Sequence, residues 1–551
     1  MLLAMVQLLL ATPASAGFDP PGVLSPLPPM GFNNWARYMG GLNESLFVHT
    51  AEAMVSKGLL AAGYNRINLD DEWSLMERAP NGSMQWDPVK FPRGLPWLTG
   101  FLKAEGFIPG LYTDAGNKSC SGFPGAYGYE ETDARDFVGW GFEYLKLDGC
   151  NMPDAMEEGY REVYGKWHEI LTSMWPSQMV FSESAPAYFA EAENLTDWYA
   201  VMEWVPQYGQ LARHSRDTLV WNSTNYWPDI TGWDSVMFNY GQEVRLARFQ
   251  RPGYVNDPDF LNVDHFDYTL DEKKSHFALW CSFSAPLILS TDVLNMTEAE
   301  VEYLTNRDLI AVDQDPLVQQ ATLVSQDGKW DVLTKGLYNG DRLVTVLNRG
   351  NTSGDLEVSW ARIGISPGEL PTPSSINVKD LWTGESSTVS LEDTDSIKAT
   401  DVPPHGTAVF RLSNTTRGDA IRTIPTGIIF NTYLLNCLTD STNGTVSWAN
   451  CTGADAQVWR VKPDGHVDSL LQLALGKCLT VDGTKVVSST SGCAAGTGNI
   501  WDYFISGNLI NAASGLCLTE GQSGGTPLAT VEACGYLTNE QVVSLPVGVA
   551  I

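Results

Sequence analysis

Phe107-Ile-Pro-Gly-Leu-Tyr-Thr-Asp114 is a short β-favouring run that stops on an acid, and the chain repeats the device. Tyr64-Asn-Arg-Ile-Asn-Leu-Asp70-Asp71, Tyr144-Leu-Lys-Leu-Asp148 and Met179-Val-Phe-Ser-Glu183 have the same form. Between them lie longer segments, such as 45–57 and 133–140, with apolar residues at helical spacing and Gly58 or Gly141 near their ends. Strand-then-helix units repeated over residues 17–317 predict a (β/α)8 TIM barrel, whose functional groups sit at the C-terminal ends of the strands. The other arrangement of such units, a doubly wound sheet, is disfavoured because no Gly-x-Gly-x-x-Gly follows the first strands.

Pro316 closes this region, and the pattern changes. Over 318–412, short alternating runs such as Asp341-Arg-Leu-Val-Thr-Val-Leu-Asn348 and Thr407-Ala-Val-Phe-Arg-Leu412 are separated by Gly, Pro and Ser, which predicts an antiparallel β-sandwich. The polar stretch 413–426 reads as a linker. In 427–551 a weak repeat appears, with units starting Cys-Leu-Thr at Cys437, Cys478 and Cys517 and a second cysteine downstream at Cys451, Cys493 and Cys534. Pairing within each unit is the economical connectivity. Cys120 and Cys150 follow acid-ended strands, share one barrel face and are expected to bond, which leaves Cys281 as a buried free thiol.

The chain of 551 residues divides naturally into several domains. Lys+Arg 34 against Asp+Glu 65 gives a net charge of −31, which repels nucleic acid. Residues 1–16 form an apolar run ending Ala14-Ser15-Ala16, read as a signal peptide cleaved after Ala16, although no Lys or Arg precedes the run. No later uninterrupted apolar stretch is long enough to span a membrane. Ten Asn-x-Ser/Thr sequons, at Asn43, Asn81, Asn117, Asn194, Asn222, Asn295, Asn351, Asn414, Asn443 and Asn450, fit a secreted, extracellular glycoprotein. The 7 His lack metal-ligand spacing, and no phosphate loop occurs, so no metal or organic cofactor is expected. Carboxylates among 19 Trp, 20 Tyr and 20 Phe remain, the equipment for holding a sugar and cleaving a glycosidic bond between two acids.

Pro28-Pro-Met-Gly-Phe-Asn-Asn-Trp35, Gly63 to Trp73, Tyr112-Thr-Asp114-Ala-Gly, Tyr144-Leu-Lys146-Leu-Asp148-Gly-Cys150-Asn and Asn256-Asp-Pro-Asp259 come in the order of glycoside hydrolase family 27. The sequence resembles these melibiase-type α-galactosidases over 28–412, and its terminal repeat resembles a ricin B-type β-trefoil lectin module, as in the secreted form that carries that appendage. The resemblance implies that Asp148 is the nucleophile of a retaining α-galactosidase and that Lys146, on the same side of the strand, binds sugar hydroxyls and keeps Asp148 ionised. An Arg four residues before the acid/base is matched by Arg213 and Asp217; Asp229, in Asp-Ile-Thr-Gly-Trp233, is the competing choice. The acid/base is expected to have a raised pKa. By resemblance Asp70 and Asp71 accept from the galactose 4- and 6-hydroxyls, Trp35 supplies the apolar face, and Asp114 faces the site or supports a loop.

Three features depart from the family pattern. A disulfide common in relatives is replaced by Met39-Gly40 and Glu72. In Phe181-Ser-Glu-Ser184-Ala-Pro-Ala187-Tyr188, Ser184 and Ala187 resemble the small residues with which α-N-acetylgalactosaminidases admit a 2-acetamido group. Thr439, Thr480 and Thr519 stand where lectin repeats usually carry an acid, and the third Gln-x-Trp reads Gln541-Val-Val, leaving a glycan ligand for the trefoil open. The expected substrate is an oligo- or polysaccharide with terminal α-galactosyl units, such as galactomannan side chains or galactolipids. The rivals are α-N-acetylgalactosaminidase, β-L-arabinopyranosidase and a non-catalytic carbohydrate-binding protein.

Overall fold

The computed structural model describes residues 24–174, 179–219, 230–366, 370, 372–493, 499–521 and 527–546. The expected signal peptide, Asn222 and Asp229 lie outside them.

Eight parallel strands form the first sheet: β1 Met30–Asn33, β2 Arg66–Leu69, β3 Ile108–Asp114, β4 Tyr144–Asp148, β5 Val180–Glu183, β6 Leu211–Arg213, β7 Val255–Asp257 and β8 Leu287–Leu289. Each of β1 to β6 pairs with the next, and β1 also pairs with β8. The remaining seam, between β7 and β8, is closed just past β7, where the Leu261 N–H donates to Ile288 O at 2.8 Å and the Leu261 carbonyl accepts from Ser290 N at 3.0 Å. The strands are apolar on both faces because helices cover the outside and side chains fill the inside. Leu69, Leu111, Leu145 and Leu147 are fully buried. The helices between them start where the sequence offers caps: Thr231, Thr269 and Thr297 each form a reciprocal capping box with an acid three residues on. The sequence-expected helices appear as Glu44–Ser56 and Glu130–Gly139.

The β-sandwich sets a six-stranded antiparallel sheet against the pair Gly354–Ser359 and Ser396–Val402. It seats on the barrel through Lys335, whose buried ammonium donates to Ser284 Oγ at 2.7 Å and Cys281 O at 3.2 Å, capping the end of the helix Leu270–Phe283. Burial lowers the Lys335 pKa to about 8. Cys281 is a buried free thiol.

In the terminal module Leu438, Leu479 and Leu518 meet Trp448, Trp459 and Trp501 in one core. The indole N–H of Trp459 donates to Leu438 O at 2.8 Å and that of Trp501 to Leu479 O at 3.1 Å, so each of the first two repeats ties its Trp to its own Cys-Leu-Thr strand. In the third, fully buried Val543 takes the Trp place, and Trp448 of the first repeat reaches Thr519 O at 3.2 Å. The module rests on the barrel: Tyr199 OH meets Thr432 Oγ1 at 2.8 Å, Tyr433 OH donates to Glu193 O at 2.7 Å, and Arg248 Nε donates to Ile505 O at 2.8 Å. The fold is thus a TIM barrel, a β-sandwich and a β-trefoil in succession. Disulfides join Cys120–Cys150, Cys437–Cys451, Cys478–Cys493 and Cys517–Cys534.

Each trefoil bridge closes a loop short enough to stabilise its repeat by about 3 kcal/mol. Replacing Cys437 and Cys451 together by Ser therefore moves the trefoil's calorimetric transition to lower temperature and leaves the barrel's in place. An unmoved transition refutes that role.

Candidate active site

The C-terminal ends of the barrel strands carry Asn33, Asp70, Asp114, Asp148, Glu183, Arg213 and Asp257. Beside them opens a cavity of about 320 Å³ lined by Trp35, Asp148, Ser184, Tyr188, Arg213 and Asp217, among others, with the Cys120–Cys150 disulfide on its wall. This volume lies at the small end of ligand pockets, ~300–1,000 Å³. Of the sequence-expected residues, Trp35, Asp148, Ser184, Arg213 and Asp217 reach the cavity wall, whereas Asp70, Asp71, Asp114 and Lys146 form a buried layer around it.

That layer is fully bonded. Lys146 Nζ donates to Asp70 Oδ2 at 2.8 Å, and Asn33 Nδ2 donates to the same oxygen at 2.7 Å. The Asp70 N–H donates to Asn34 Oδ1 at 2.9 Å, so the Asn33-Asn34-Trp35 segment is clipped to the end of β2. Burial would lower the Lys146 pKa, but the charges of Asp70, Asp148 and Asp217 outweigh it and hold the ammonium above its ordinary value. Asp71 accepts from Glu72 N at 2.7 Å and Ser121 N at 3.0 Å, and burial raises its pKa. Asp114 accepts from Gly116 N at 2.8 Å and Cys150 N at 3.0 Å; burial first, then the neighbouring Asp148 charge, pushes its carboxyl upward. Asp114 and Asp148 also lie near the sulfurs of Cys120 and Cys150, but those sulfurs are spent in a disulfide and offer no thiolate to a metal.

Across the cavity, Arg213 forks. Its Nη2 donates to Asp217 Oδ1 at 2.9 Å, and its Nη1 lies 2.8 Å from Asp259 Oδ1. Asp217 is 59% exposed at the mouth, while Asp259 is fully enclosed. Asp259 sits at a φ of 82°, rare for a residue with a side chain, and its Oδ2 accepts from Thr218 N at 2.7 Å. Against the expectation of a raised pKa, the Asp217 carboxyl is shifted the other way. Desolvation does push upward, but Arg213 and then Lys146 hold the carboxyl below its ordinary range. Asp229, the competing residue, lies outside the described residues.

Sequence reasoning did not single out Asp259 or Tyr188. Asp259 sat inside a quoted motif, and its pairing with Arg213 is a contact between β6 and the loop after β7. The Tyr188 hydroxyl is 2.5 Å from Asp148 Oδ1. Glu183 ends β5 as the other acids end their strands, yet it is fully buried away from the cavity wall, and burial pushes its pKa well up.

Family models match the chain in three consecutive blocks: Alpha galactosidase A over 27–315, the Alpha galactosidase C-terminal beta sandwich domain over 327–412, and the Ricin-type beta-trefoil lectin domain over 425–542. The chain belongs to the melibiase family. Alpha-galactosidase A of Aspergillus niger is 48% identical over 534 residues, 96% of this chain and 93% of that one. A probable alpha-galactosidase A of Aspergillus terreus is 50% identical over 554 residues, 100% of this chain and 98% of that one. The solved alpha-galactosidase I of Mortierella vinacea superposes with a TM-score of 0.64 at 27% identity, covering 72% of this chain and 99% of that one. The partners of this melibiase-family chain are carbohydrates.

Two departures from the family pattern have physical explanations. Between the two segments where the resemblance implies a disulfide, Lys90 Nζ donates to Gly40 O at 3.1 Å and Glu72 O at 2.7 Å, holding them together. A Cβ on Gly40 would come within 1.9 Å of Glu72 Oε2, so no side chain fits there unless Glu72 moves. In the trefoil, Gln457 and Gln541 each donate to the threonine of their own repeat, Thr439 and Thr519, at 3.0 Å, and Thr480 donates to Asn499 Oδ1 at 2.6 Å. Those threonines are thereby engaged within the fold.

Lys90→Met removes both bonds from a partly exposed ammonium, each worth about 1 kcal/mol. The melting temperature falls, and KM for a galactoside rises because the segment after β2 loosens. An unchanged melt and KM refute the bridging role.

Proposed function

We propose that the chain is a secreted retaining α-galactosidase that removes terminal non-reducing α-D-galactosyl units from oligo- and polysaccharides. The observation that carries this reading is the placement of Asp148 and Asp217 on the wall of one cavity in a melibiase barrel. Asp148 attacks the anomeric carbon and forms a covalent galactosyl-enzyme; Asp217 protonates the departing oxygen and then takes a proton from water. Lys146 binds sugar hydroxyls and sets its positive charge beside Asp70, Asp148 and Asp217. Trp35 offers its apolar face to the sugar, Arg213 orients Asp217, and Asp70 and Asp71 belong to the hydroxyl-binding side. The barrel ends near residue 317, the sandwich near 412, and the trefoil begins near 427.

Exposed aromatics support a chain-like substrate. Within the described barrel, the aromatic side chains classed as exposed are Tyr127, Tyr129, Tyr188 and Phe266, all on segments that follow strand ends. Tyr188 lies against Asp148 itself, and the rings of Tyr127, Tyr129 and Phe266 are the ones offered to sugar units beyond the cleaved bond. Secretion is supported by four disulfides and by sequon placement. Every described sequon Asn is exposed except the half-buried Asn414. Among the described residues no helix is long and apolar enough to cross a membrane. One observation favours a second substrate: Ser184 Oγ is buried at the cavity without a hydrogen-bond partner, with Ala187 beside it in the wall. A 2-acetamido group would supply that partner, so turnover of aryl α-N-acetylgalactosaminide is compared with that of the galactoside.

Asp148→Asn lowers kcat on an aryl α-galactoside by at least about 10³-fold, as loss of a nucleophile does. A loss of only a few-fold refutes the assignment. Asp217→Ala keeps turnover of substrates with good leaving groups and gains rate with added azide; absence of azide rescue refutes the acid/base role. The pH dependence has a definite sign. Asp217 must be protonated in the first step, its carboxyl is held low in the free site, and bound sugar excludes water from its exposed face, which raises its pKa. With a poor leaving group, the alkaline limb of kcat therefore lies at higher pH than that of kcat/KM. Coincident limbs refute this account.

A further inference from the structure

Asp148 has two carboxylate oxygens in unequal surroundings. Oδ1 accepts from Tyr188 OH at 2.5 Å and from Gly149 N at 2.9 Å. Among the described residues no donor reaches Oδ2. Tyr188 is itself held from several directions. Its ring packs on Tyr160 with centroids 5.4 Å apart, and Tyr160 OH donates to Gly149 O at 2.7 Å. The Tyr188 oxygen lies 3.2 Å from Gly149 N, 3.2 Å from Cys150 Sγ and 3.8 Å from Cys120 Sγ. Gly149 passes between the rings: a Cβ there would come within 2.6 Å of Tyr160 and 2.9 Å of Tyr188. Enclosure of the hydroxyl, then the negative charges of Asp148 and Asp114, push the phenol well above its ordinary pKa, so it keeps its proton to donate.

We propose that Tyr188 is a positioning residue that leaves Oδ2 of Asp148 free to attack and favours the second half of the reaction, release of the sugar, over the first. The inference rests on Asp148 being the nucleophile. In the first step Oδ2 bonds to the anomeric carbon while the bond to the departing oxygen breaks; its electron pair stays on that oxygen, which takes the Asp217 proton. Asp148 loses its negative charge in this step, and a hydrogen bond to a charged oxygen is stronger than one to a neutral ester carbonyl. The Tyr188 bond therefore weakens on the way to the intermediate. In the second step a water oxygen bonds to the anomeric carbon, its proton passes to Asp217, and the electron pair of the broken C–Oδ2 bond returns to Asp148. The charge recovers, and the Tyr188 bond strengthens as it does.

Tyr188→Phe removes the donor and keeps the ring. Stopped-flow release of nitrophenolate from 4-nitrophenyl α-galactoside is expected to show a burst matching the enzyme concentration. Steady-state kcat falls about tenfold, with KM falling alongside it and kcat/KM changing less than about threefold. Intact-mass analysis of the quenched steady state shows a larger galactosyl-enzyme fraction than wild type. An unchanged melting temperature of Tyr188→Phe shows that the altered partition does not come from lost packing. If kcat and kcat/KM fall together in Tyr188→Phe without a burst, the proposal is overturned. Mapping the adduct by peptide mass separates the two readings: an adduct on Asp148 with an unchanged partition rejects the role of Tyr188 alone, whereas an adduct elsewhere rejects the nucleophile assignment as well.

Discussion

Two buried cations, Lys146 and Arg213, hold together an end of the barrel that would otherwise be a crowd of like charges. Asp70, Asp148 and Asp217 act on Lys146, and Asp217, Asp257 and Asp259 act on Arg213. Carboxylates gathered in a poorly hydrated space protonate unless a cation or several N–H donors meet them. Asp70 has the lysine and Asn33, whereas Asp71 and Asp114, which have neutral donors and no cation within bonding distance, are pushed upward by burial. The charge state of the cavity wall thus depends on where two side chains point.

The same economy explains the loops. Asp71 accepts from Ser121 N, Asp114 accepts from Cys150 N, and the Cys120–Cys150 bridge joins the segments that follow β3 and β4. Lys90 fastens Gly40 to Glu72 on the other side. A cavity built from βα loops keeps its shape only if those loops are tied to one another, because no sheet ladder extends that far. Trefoil and sandwich, by contrast, reach the barrel through contacts with Glu193, Tyr199 and Arg248 and with the helix Leu270–Phe283.

Asp217 illustrates how contact geometry changes chemistry. An arginine four residues upstream identifies it by resemblance, and that arginine, once folded onto it, sets the carboxyl low rather than high. A working acid then needs the substrate itself to shift the balance by excluding water. Arg213 is shared with Asp259, which gives the fork a second anchor and fixes the direction from which Asp217 is approached.

The amino-acid sequence by itself determined the barrel and the sandwich, because strand-ending acids and alternating runs are local patterns; the cysteine repeat marked a third module, and only its resemblance to ricin B-type lectins made that module a trefoil. The cysteine pairing was legible because short spacing leaves one economical connectivity. The acids that end β2, β3, β4 and β5 were also legible, but whether each reaches the cavity was not. Asp148 lines it and Glu183 does not, although both close a strand, since pleat phase and strand tilt are decided by neighbours far away in the chain. The tertiary structure alone decided that Tyr188 meets Asp148, that Asp259 stands behind Arg213, and that Lys90 replaces a covalent bridge. Each of these is a contact between segments brought together only when the barrel closes, and such contacts leave no periodicity for a sequence to display.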